Sequence, residues 1–312
     1  MCMEISNTGG FRSKAEELWL RLVRLYTYNT PVDKGKYRLY EAALSMCASR
    51  PESLQVTVKD GRRFWVNLTT GMQEMVFFLG EFEREVTKIA GSLVNKGDVC
   101  IDVGANFGWY TTLFFERAGR GGAVHSFEPL PATFRELSRN YELLGRPSNV
   151  VINNLALGDM PGTVVLNVFE GLPTGHASLS SQGRSDAAAF ECRMITLDSY
   201  LEDNGIDRVN FVKVDIEGAE LMFLGGAAKL FEQETPPVFL MEMALQQTRN
   251  FDYKPNDLIE FIGARGDYEF YAVDELNGKL RKIDGFAPDD IGANVFCIPV
   301  KADRMQSISE FL

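Results

Sequence analysis

The hydrophobic pattern of the chain changes near residue 98, and this change constrains the fold more than any other feature of the sequence. From there on, short apolar segments alternate with segments whose apolar residues recur at helical spacing. Parallel strands need a crossover of helical length between them, so the alternation is typical of a parallel sheet covered on both faces. It predicts seven strands, at residues 98–103, 122–127, 149–155, 209–214, 237–243, 268–273 and 293–299.

The last two predicted strands depart from this pattern, because no long helix separates them. They flank the pairs Asn277-Gly278 and Asp284-Gly285, which favour tight turns. An antiparallel edge is therefore expected at this end of an otherwise parallel sheet. The fold class is α/β.

The residues before 98 predict a different arrangement. Residues 11–50 have the spacing of two helices, and residues 53–67 alternate apolar and polar side chains around Asp60-Gly61, which indicates a hairpin. Residues 72–95 return to helical spacing. We therefore predict an N-terminal helix–hairpin cap over residues 1–95 and a second domain over residues 96–312.

Composition and charge exclude several classes of partner. The net charge is −11 and no run of Lys or Arg is present, so the chain would repel nucleic acid. Its five cysteines are scattered and form no CxxC pair, which argues against a disulfide framework or a zinc site and predicts a cytoplasmic location. The sequence carries no signal for an oligomeric state.

No apolar segment approaches the ~18 residues that a transmembrane helix needs, so no transmembrane segment is predicted. Residues 18–28 mix apolar side chains with Arg21 and Arg24. That pattern fits an amphipathic helix whose apolar face either packs on the core or lies on a membrane surface.

A glycine-containing turn joins the first of the seven strands to a helix. Gly104 lets the backbone approach a ligand, and Gly108 lets the helix pack close to the strand. Asn106 tolerates the left-handed conformation, and open N–H groups at a helix start bind anionic groups. Residues 99–108 thus predict a ligand site, with a plain tight turn as the alternative.

Acidic residues follow the strands at the predicted ligand edge. Glu128 ends the second strand, where a carboxylate can accept both hydroxyls of a ribose. Asp215 and Glu217 follow the fourth strand, and the carboxyl ends of parallel strands form the ligand crevice. Glu242 interrupts an apolar run, which both a structural ion pair and a role in the site would explain.

The chain resembles the FkbM family of methyltransferases over residues 80–245. The resemblance rests on five ordered motifs, IDVGANFGWYT, FEPLPATF, NLALGD, ITLDSYL and FVKVDIEGAE. It implies a seven-stranded, mostly parallel, Rossmann-like class I methyltransferase sheet, with residues 96–312 binding S-adenosylmethionine. It also implies O-methylation of a hydroxyl on a sugar, a glycan or a natural product. His125 departs from the family pattern, which commonly has an aromatic residue there.

The resemblance also implies a role for individual residues. Glu128 would hold the ribose of the cofactor, Leu155 and Ala156 would border its adenine, and Asp215 would face the methionine amine or the acceptor. The methionine part would be surrounded by Asp102, Gly104, Asn106 and Gly108, with Tyr110 and Thr111 at the start of the adjoining helix.

The hydroxyl of the acceptor must lose its proton, and the sequence offers three candidates for the group that removes this proton. His176 lies in a glycine-flanked loop between two added strands, predicted at 162–169 and 191–197, and is a candidate base. Asp215 or Glu217 can act instead if burial raises the carboxyl pKa. The third arrangement is a divalent metal ion held by Asp215 and Glu242.

Two other functions remain open. A nicotinamide-dependent oxidoreductase also needs a glycine turn and a distant acid, although residues 104–108 lack the GxGxxG spacing. A non-catalytic cofactor-binding protein of the same fold is the second, and the intact acids at positions 102, 128 and 215 argue against it.

Overall fold

The computed structural model describes residues 6–7, 13–169, 187–287, 290–302 and 304–312. Cα packing divides the chain into two compact units, and the division falls mainly between Phe82 and Glu83. Within the described ranges, no helix is long and apolar enough to cross a membrane.

The smaller unit combines helices with an antiparallel sheet. Its elements are β1 (Ser6–Asn7), α1 (Lys14–Asn29), α2 (Lys36–Ser45), β2 (Leu54–Thr57), β3 (Arg63–Val66) and α3 (Gly71–Leu79). The predicted hairpin is confirmed, because β2 pairs antiparallel with β3 across the Asp60-Gly61 turn. Ser13 begins α1 with a capping box, in which its hydroxyl accepts the Glu16 N–H at 3.1 Å.

The helical spacing predicted over residues 72–95 corresponds to two helices. Helix α3 ends at Leu79, and the next residue, Gly80, has a left-handed φ of 70°. A Cβ on Gly80 would lie 2.2 Å from the Tyr28 ring, so the chain needs glycine there. The second piece, α4 (Arg84–Leu93), belongs to the larger unit. The domain boundary after residue 95 and the role of the first unit as a cap stay predictions.

The elements after α4 alternate between strands and helices. They are β4 (Val99–Val103), α5 (Trp109–Ala118), β5 (Ala123–Phe127), α6 (Pro131–Leu143), β6 (Val150–Asn153), β7 (Ala156–Leu157), β8 (Gly162–Phe169), β9 (Ala187–Ile195), α7 (Leu197–Asp203), β10 (Phe211–Val214), α8 (Glu220–Gly225), α9 (Lys229–Glu232), β11 (Val238–Ala244), α10 (Leu245–Thr248), α11 (Pro255–Gly263), β12 (Tyr268–Asp274), β13 (Lys279–Ile283), β14 (Gly292–Pro299) and α12 (Met305–Ile308).

The main sheet has eight strands, in the order β13-β12-β14-β11-β10-β4-β5-β6. All seven predicted strands are present, and the five from β11 to β6 are mutually parallel. The predicted antiparallel edge is confirmed, because β14 runs antiparallel to β11 and β12. The count of seven is wrong: β13 adds an edge strand across the Asn277-Gly278 turn. Its sequence, KLRKI, is too polar to resemble the buried strands, because an edge strand needs little burial.

The order of the central strands creates a crevice. From β4 the chain adds β5 and β6 on one side, and it later returns to place β10 on the other side of β4. The carboxyl ends of β4 and β10 therefore border the point where the strand order reverses. In open α/β sheets, ligands bind at this switch point.

A second sheet follows β6, in the order β7-β9-β8. Strands β8 and β9 pair antiparallel, which confirms the predicted pair of added strands. His176 lies between them, outside the described residues.

Candidate active site

The turn after β4 brings two strand ends into contact. Gly104 has a φ of 75°, and a Cβ there would lie 1.9 Å from the backbone oxygen of Asp215 at the end of β10. The Gly104 and Ala105 N–H groups both donate to the Phe127 carbonyl, at 3.0 and 2.9 Å. Asn106 adopts the left-handed conformation that the sequence predicted, with a φ of 51°. Only glycine at position 104 permits this approach of β4 and β10.

Glu128 is joined directly to this turn. One of its carboxylate oxygens accepts the Asn106 N–H at 3.0 Å, and the other accepts the Leu130 N–H at 2.9 Å. Burial raises the pKa of Glu128 to about 7, although the two N–H groups oppose the shift. A carboxylate has about four acceptor positions, so each oxygen keeps the capacity for one more donor. That capacity suits the two hydroxyls of a ribose.

Asp102 has a buried oxygen to which no described residue donates. The side chain is 0% exposed, and its Oδ2 accepts the Thr111 hydroxyl at 2.6 Å. The Thr111 hydroxyl also lies 2.8 Å from that of Ser126. Asp102 Oδ1 has no hydrogen-bond partner in the described structure. Burial raises the pKa of Asp102, opposed by the charge of Lys213. An orphaned acceptor of this kind fits a ligand that brings a donor, such as an ammonium group.

Lys213 is the cation at the centre of the site, and the sequence argument missed it. It is buried in β10, and its Nζ lies 3.1 Å from both the Gly104 carbonyl and Asp215 Oδ2. Burial lowers the pKa of Lys213, but the carboxylates of Asp215, Asp102 and Glu83 outweigh it and hold the pKa above its usual range. A lysine inside the apolar run FVKV was the available signal, because buried lysines almost always have charged partners.

Tyr110 and Glu83 form a second pair that the sequence did not predict. The Tyr110 hydroxyl donates to Glu83 at 2.6 Å, and Lys213 Nζ lies 5.4 Å from the centre of the Tyr110 ring. Burial, together with the charge of Asp215, raises the pKa of Glu83 to about 7. Glu83 precedes β4 by a whole helix, so no strand-end pattern identifies it.

Three acidic residues meet at the ends of β10 and β11. Glu242 is hydrogen-bonded to Asp215, and the Gln247 amide donates to both Glu217 and Glu242, at 2.8 and 2.9 Å. Burial and the charge of Asp215 raise the pKa of Glu242 to about 9, so Glu242 holds a proton at neutral pH. Asp215 keeps 33% of its side chain exposed. Its carboxylate is therefore partly accessible to solvent.

The donor set does not fit a resident metal ion. Across the part of the chain that the structure describes, no three His, Cys, Asp or Glu side chains are placed to hold one. Asp215 and Glu242, the two predicted ligands, adjoin each other, but no third such side chain joins them among the described residues.

Leu155 and Ala156 follow β6, whose last residue, Asn153, is in register with Phe127 of β5. They therefore lie at the same sheet edge as Glu128, and the Asn154 side chain donates to the Glu128 carbonyl at 2.9 Å. Their role beside an adenine stays a prediction. His125 packs against Tyr200, whose hydroxyl lies 2.9 Å from its ring nitrogen, as expected for a residue inside a strand.

The sheet order, together with a crevice at its switch point, defines a Rossmann-like α/β protein. A model of the methyltransferase FkbM domain matches residues 102–270. This match covers more than half of the chain, which belongs to the FkbM methyltransferase family. The resemblance seen in the sequence is thus confirmed, and the nicotinamide-dependent oxidoreductase is not supported.

Similar proteins cover part of the chain. Hexuronic acid methyltransferase AglP of Haloferax volcanii is 28% identical over 144 residues, which are 46% of this chain and 56% of that protein. The 31-O-demethyl-FK506 methyltransferase FkbM of Streptomyces tacrolimicus is 26% identical over 161 residues, 44% of this chain and 62% of its own. The chain thus spans little more than half the length of these relatives. A crystal structure of methyltransferase FkbM from Methylobacillus flagellatus is also similar. The alignment covers 65% of this chain and 43% of the chain in that structure, at 18% identity and a TM-score of 0.40.

Proposed function

We propose that the protein is an S-adenosylmethionine-dependent methyltransferase that methylates a hydroxyl oxygen of a sugar, a glycan or a natural product. The observation that carries the proposal is that two acceptors lie at the switch point. The Glu128 carboxylate suits a ribose, and the orphaned Oδ1 of Asp102 suits an ammonium group. The matched relatives support the acceptor class, since one is named for a hexuronic acid and another for a demethylated FK506.

Charge favours this cofactor over a nicotinamide dinucleotide. The site gathers the acids Asp102, Glu128, Asp215 and Glu83 around Lys213. S-adenosylmethionine has a cationic sulfonium and ammonium, whereas a dinucleotide brings an anionic pyrophosphate. Acids placed in a low-dielectric crevice attract the first and repel the second.

The residues of the crevice have separable roles in holding the cofactor. When bound, S-adenosylmethionine supplies a methyl group made electrophilic by its sulfonium. Glu128 would accept the ribose hydroxyls, Asp102 Oδ1 the ammonium, and Leu155 with Ala156 would border the adenine. Lys213 forms an ion pair with Asp215, and its charge opposes the rise that burial causes in the pKa of Asp102.

The acceptor side depends on Asp215. Its exposed carboxylate can take the proton of an acceptor hydroxyl set beside it. Glu242, which holds a proton at neutral pH, and Gln247 fix the surrounding carboxyls and leave Asp215 as the base. Alignment of the acceptor oxygen supplies much of the rest of the catalysis. His176 and Glu217 remain the alternative bases.

Calorimetry with S-adenosylmethionine, its demethylated product and NAD tests the cofactor. We expect binding of both sulfur nucleosides and none of NAD. Glu128→Gln removes a charge-assisted hydrogen bond and should weaken binding about 10- to 150-fold, whereas Glu191→Gln, at an exposed position on β9, should not. Tight NAD binding, or equal affinity in the Glu128 variant, would contradict the proposal.

Turnover with isotope-labelled cofactor and a panel of hydroxylated sugars, glycans and natural products tests the reaction. Asp215→Asn should lower turnover at least ~100-fold while cofactor affinity holds. His176→Ala should leave turnover nearly unchanged. A protein that binds the cofactor but methylates no member of the panel would support the non-catalytic alternative.

A further inference from the structure

Helix α1 has two apolar faces. Leu20, Val23 and Thr27 are buried within the smaller unit, as expected for a helix that packs on a core. The opposite face is apolar as well, and its side chains are between 37% and 60% exposed: Leu18, Trp19, Leu22, Leu25 and Tyr26. A helix packed on one side normally carries polar residues on the other, so the outer face of α1 needs a separate explanation.

The apolar character continues beyond α1. Val32, Tyr37 and Met46, in and around α2, are each more than 60% exposed. Eight of the sixteen large hydrophobic side chains exposed in the described structure therefore lie within residues 18–46, a region we call the α1–α2 apolar surface. The other eight lie on separate strands or turns, one on each. Concentrated exposure of this kind marks a binding surface, whereas scattered single residues do not.

Three of the four acids on this surface are paired with a cation, whereas several of its cations have no ion pair in the described part of the chain. Every acid of α1, α2 and their linker is engaged: Glu16 in the capping box, Glu17 by Arg21, Asp33 by Lys36 and Glu41 by Arg50. Three exposed cations have no ion-pair partner among the described residues, namely Lys14, Lys34 and Arg38. Lys14 precedes Leu18 by one helical turn, and Arg38 adjoins Tyr37. Unpaired positive charge thus accompanies the exposed apolar side chains.

We propose that the α1–α2 apolar surface binds an anionic lipid bilayer. Leucine side chains on the outer face of α1 would enter the boundary between headgroups and acyl chains, and Trp19 and Tyr26 suit the interface itself. The long side chains of Lys14, Lys34 and Arg38 can extend toward the lipid phosphates. Each adds an electrostatic attraction to the anionic headgroups, and salt weakens that attraction. The attachment is peripheral and independent of the proposed methyltransferase activity.

Charge argues against a second copy as the occupant. A two-fold interface places the same patch on itself, so a surface with the three unpaired cations Lys14, Lys34 and Arg38 would meet another with the same three. Like charges set against each other disfavour such a contact. Residues 1–82 contain 11 Lys and Arg against 9 Asp and Glu, in a chain whose net charge is −11. The N-terminal part is therefore the part whose charge complements an anionic surface.

Vesicle flotation of the full chain tests the proposal. We expect binding to vesicles of phosphatidylcholine with phosphatidylglycerol, weaker binding to phosphatidylcholine alone, and loss of binding as salt rises. Leu22→Gln with Leu25→Gln should weaken the association at least ~10-fold, since each leucine loses buried apolar area. Leu276→Gln makes the same change at a fully exposed turn and should bind normally. Lys34→Gln with Arg38→Gln should weaken binding only where the lipid is anionic.

Trp19 supplies a second readout in the intact protein. Its emission should shift to shorter wavelength when anionic vesicles are added, and Trp19→Phe should abolish the shift. Absence of binding by the unaltered protein, or equal binding by the Leu22 and Leu25 variant, would overturn the proposal. A lipid-free dimer in light scattering that this variant dissociates would overturn it in favour of a second copy.

Discussion

Lys213 shows how one buried residue can organise a site. Its ammonium contacts the Gly104 carbonyl after β4 and the Asp215 carboxylate after β10, and its charge also acts on Asp102 and Glu83. Burial of a charge is costly unless partners surround it. The charges of the lysine and of these carboxylates therefore offset the cost of each other's burial.

Lys213→Met keeps the length of the side chain and removes its charge. We expect the free energy of unfolding to fall by about 3–5 kcal/mol at pH 8, because buried carboxylates lose their partner. The loss should shrink at pH 5, where Asp102, with its raised pKa, can protonate instead. Urea unfolding at both pH values measures this. Lys229→Met removes an exposed pair with Glu202 and should change little; an equal loss at both pH values would contradict the electrostatic account.

Glu220 makes the turn after β10 sensitive to pH. It is 0% exposed, and one carboxylate oxygen accepts the Ile216 and Gly218 N–H groups, at 3.2 and 3.1 Å. Burial raises its pKa from 4.5 to about 7. The folded state binds the proton more tightly than the unfolded state, so the contribution of Glu220 to stability is present at low pH and lost as the pH rises toward 7.

Glu220→Gln should remove this dependence. Relative to the unaltered protein, the variant should gain about 2.5 kcal/mol in unfolding free energy between pH 5 and pH 8. Paired urea titrations at the two pH values give the difference directly. Glu191→Gln, at an exposed position, should show none. A difference that does not change with pH would mean that Glu220 is ionised throughout.

At the scale of elements, the turn from β4 to α5 determines how closely the two central strands approach at their ends. Gly104, Asn106 and Gly108 all have positive φ, of 75°, 51° and 96°. Two of the three also leave no room for a side chain: a Cβ would reach the Asp215 carbonyl from position 104 and Leu137 from position 108. The turn therefore depends on glycine for space as well as for conformation.

Gly104→Ala separates these two requirements when it is compared with Gly35→Ala. Gly35 also has a positive φ, of 88°, in the left-handed region, but a Cβ there meets nothing within 4 Å. The Gly35 variant should lose about 1 kcal/mol from backbone strain alone. The Gly104 variant should lose at least about 3 kcal/mol, since its Cβ would also force β4 and β10 apart, and it should bind the cofactor poorly. Thermal unfolding and calorimetry measure the two effects, and equal losses would show that the close approach is not essential.

At the scale of the whole molecule, a buried ion pair joins the C-terminal segment to the start of the main sheet. Arg304 donates through two nitrogens to the Asp98 carboxylate, both at 3.0 Å, and to the Leu93 carbonyl at 2.8 Å. The residues are 206 positions apart along the chain. A two-point contact of this kind holds the last residues of the chain against β4.

Arg304→Met should lower the free energy of unfolding by about 3 kcal/mol, because the buried Asp98 carboxylate would keep the Asn95 N–H but lose its cationic partner. Adding Asp98→Asn should restore part of the loss, since the orphaned charge is then absent. Arg265→Met, at an exposed position, should stay within about 0.5 kcal/mol of the unaltered protein. Urea unfolding of the unaltered protein, Arg304→Met, Asp98→Asn and the double variant gives the coupling energy, and simple additivity would contradict the pairing.

The sequence by itself determined the features that depend on neighbouring residues. The seven strands, the hairpin at Asp60-Gly61 and the left-handed Asn106 follow from apolar periodicity and from local φ preferences. The family followed from ordered motifs around Gly104 and Glu128. These signals are local, because a strand or a turn is encoded within a few residues.

Only the tertiary structure decided which side chains meet. Lys213 donates to the Gly104 carbonyl, 109 positions away along the chain. The Gln247 amide donates to both Glu217 and Glu242. Glu83 accepts a hydrogen bond from the Tyr110 hydroxyl. Likewise, Lys279–Ile283 becomes an eighth strand through its pairing with β12, because its own sequence carries little apolar pattern. Contacts of this range depend on how the strands are ordered and how closely their ends approach, which no local stretch of sequence encodes.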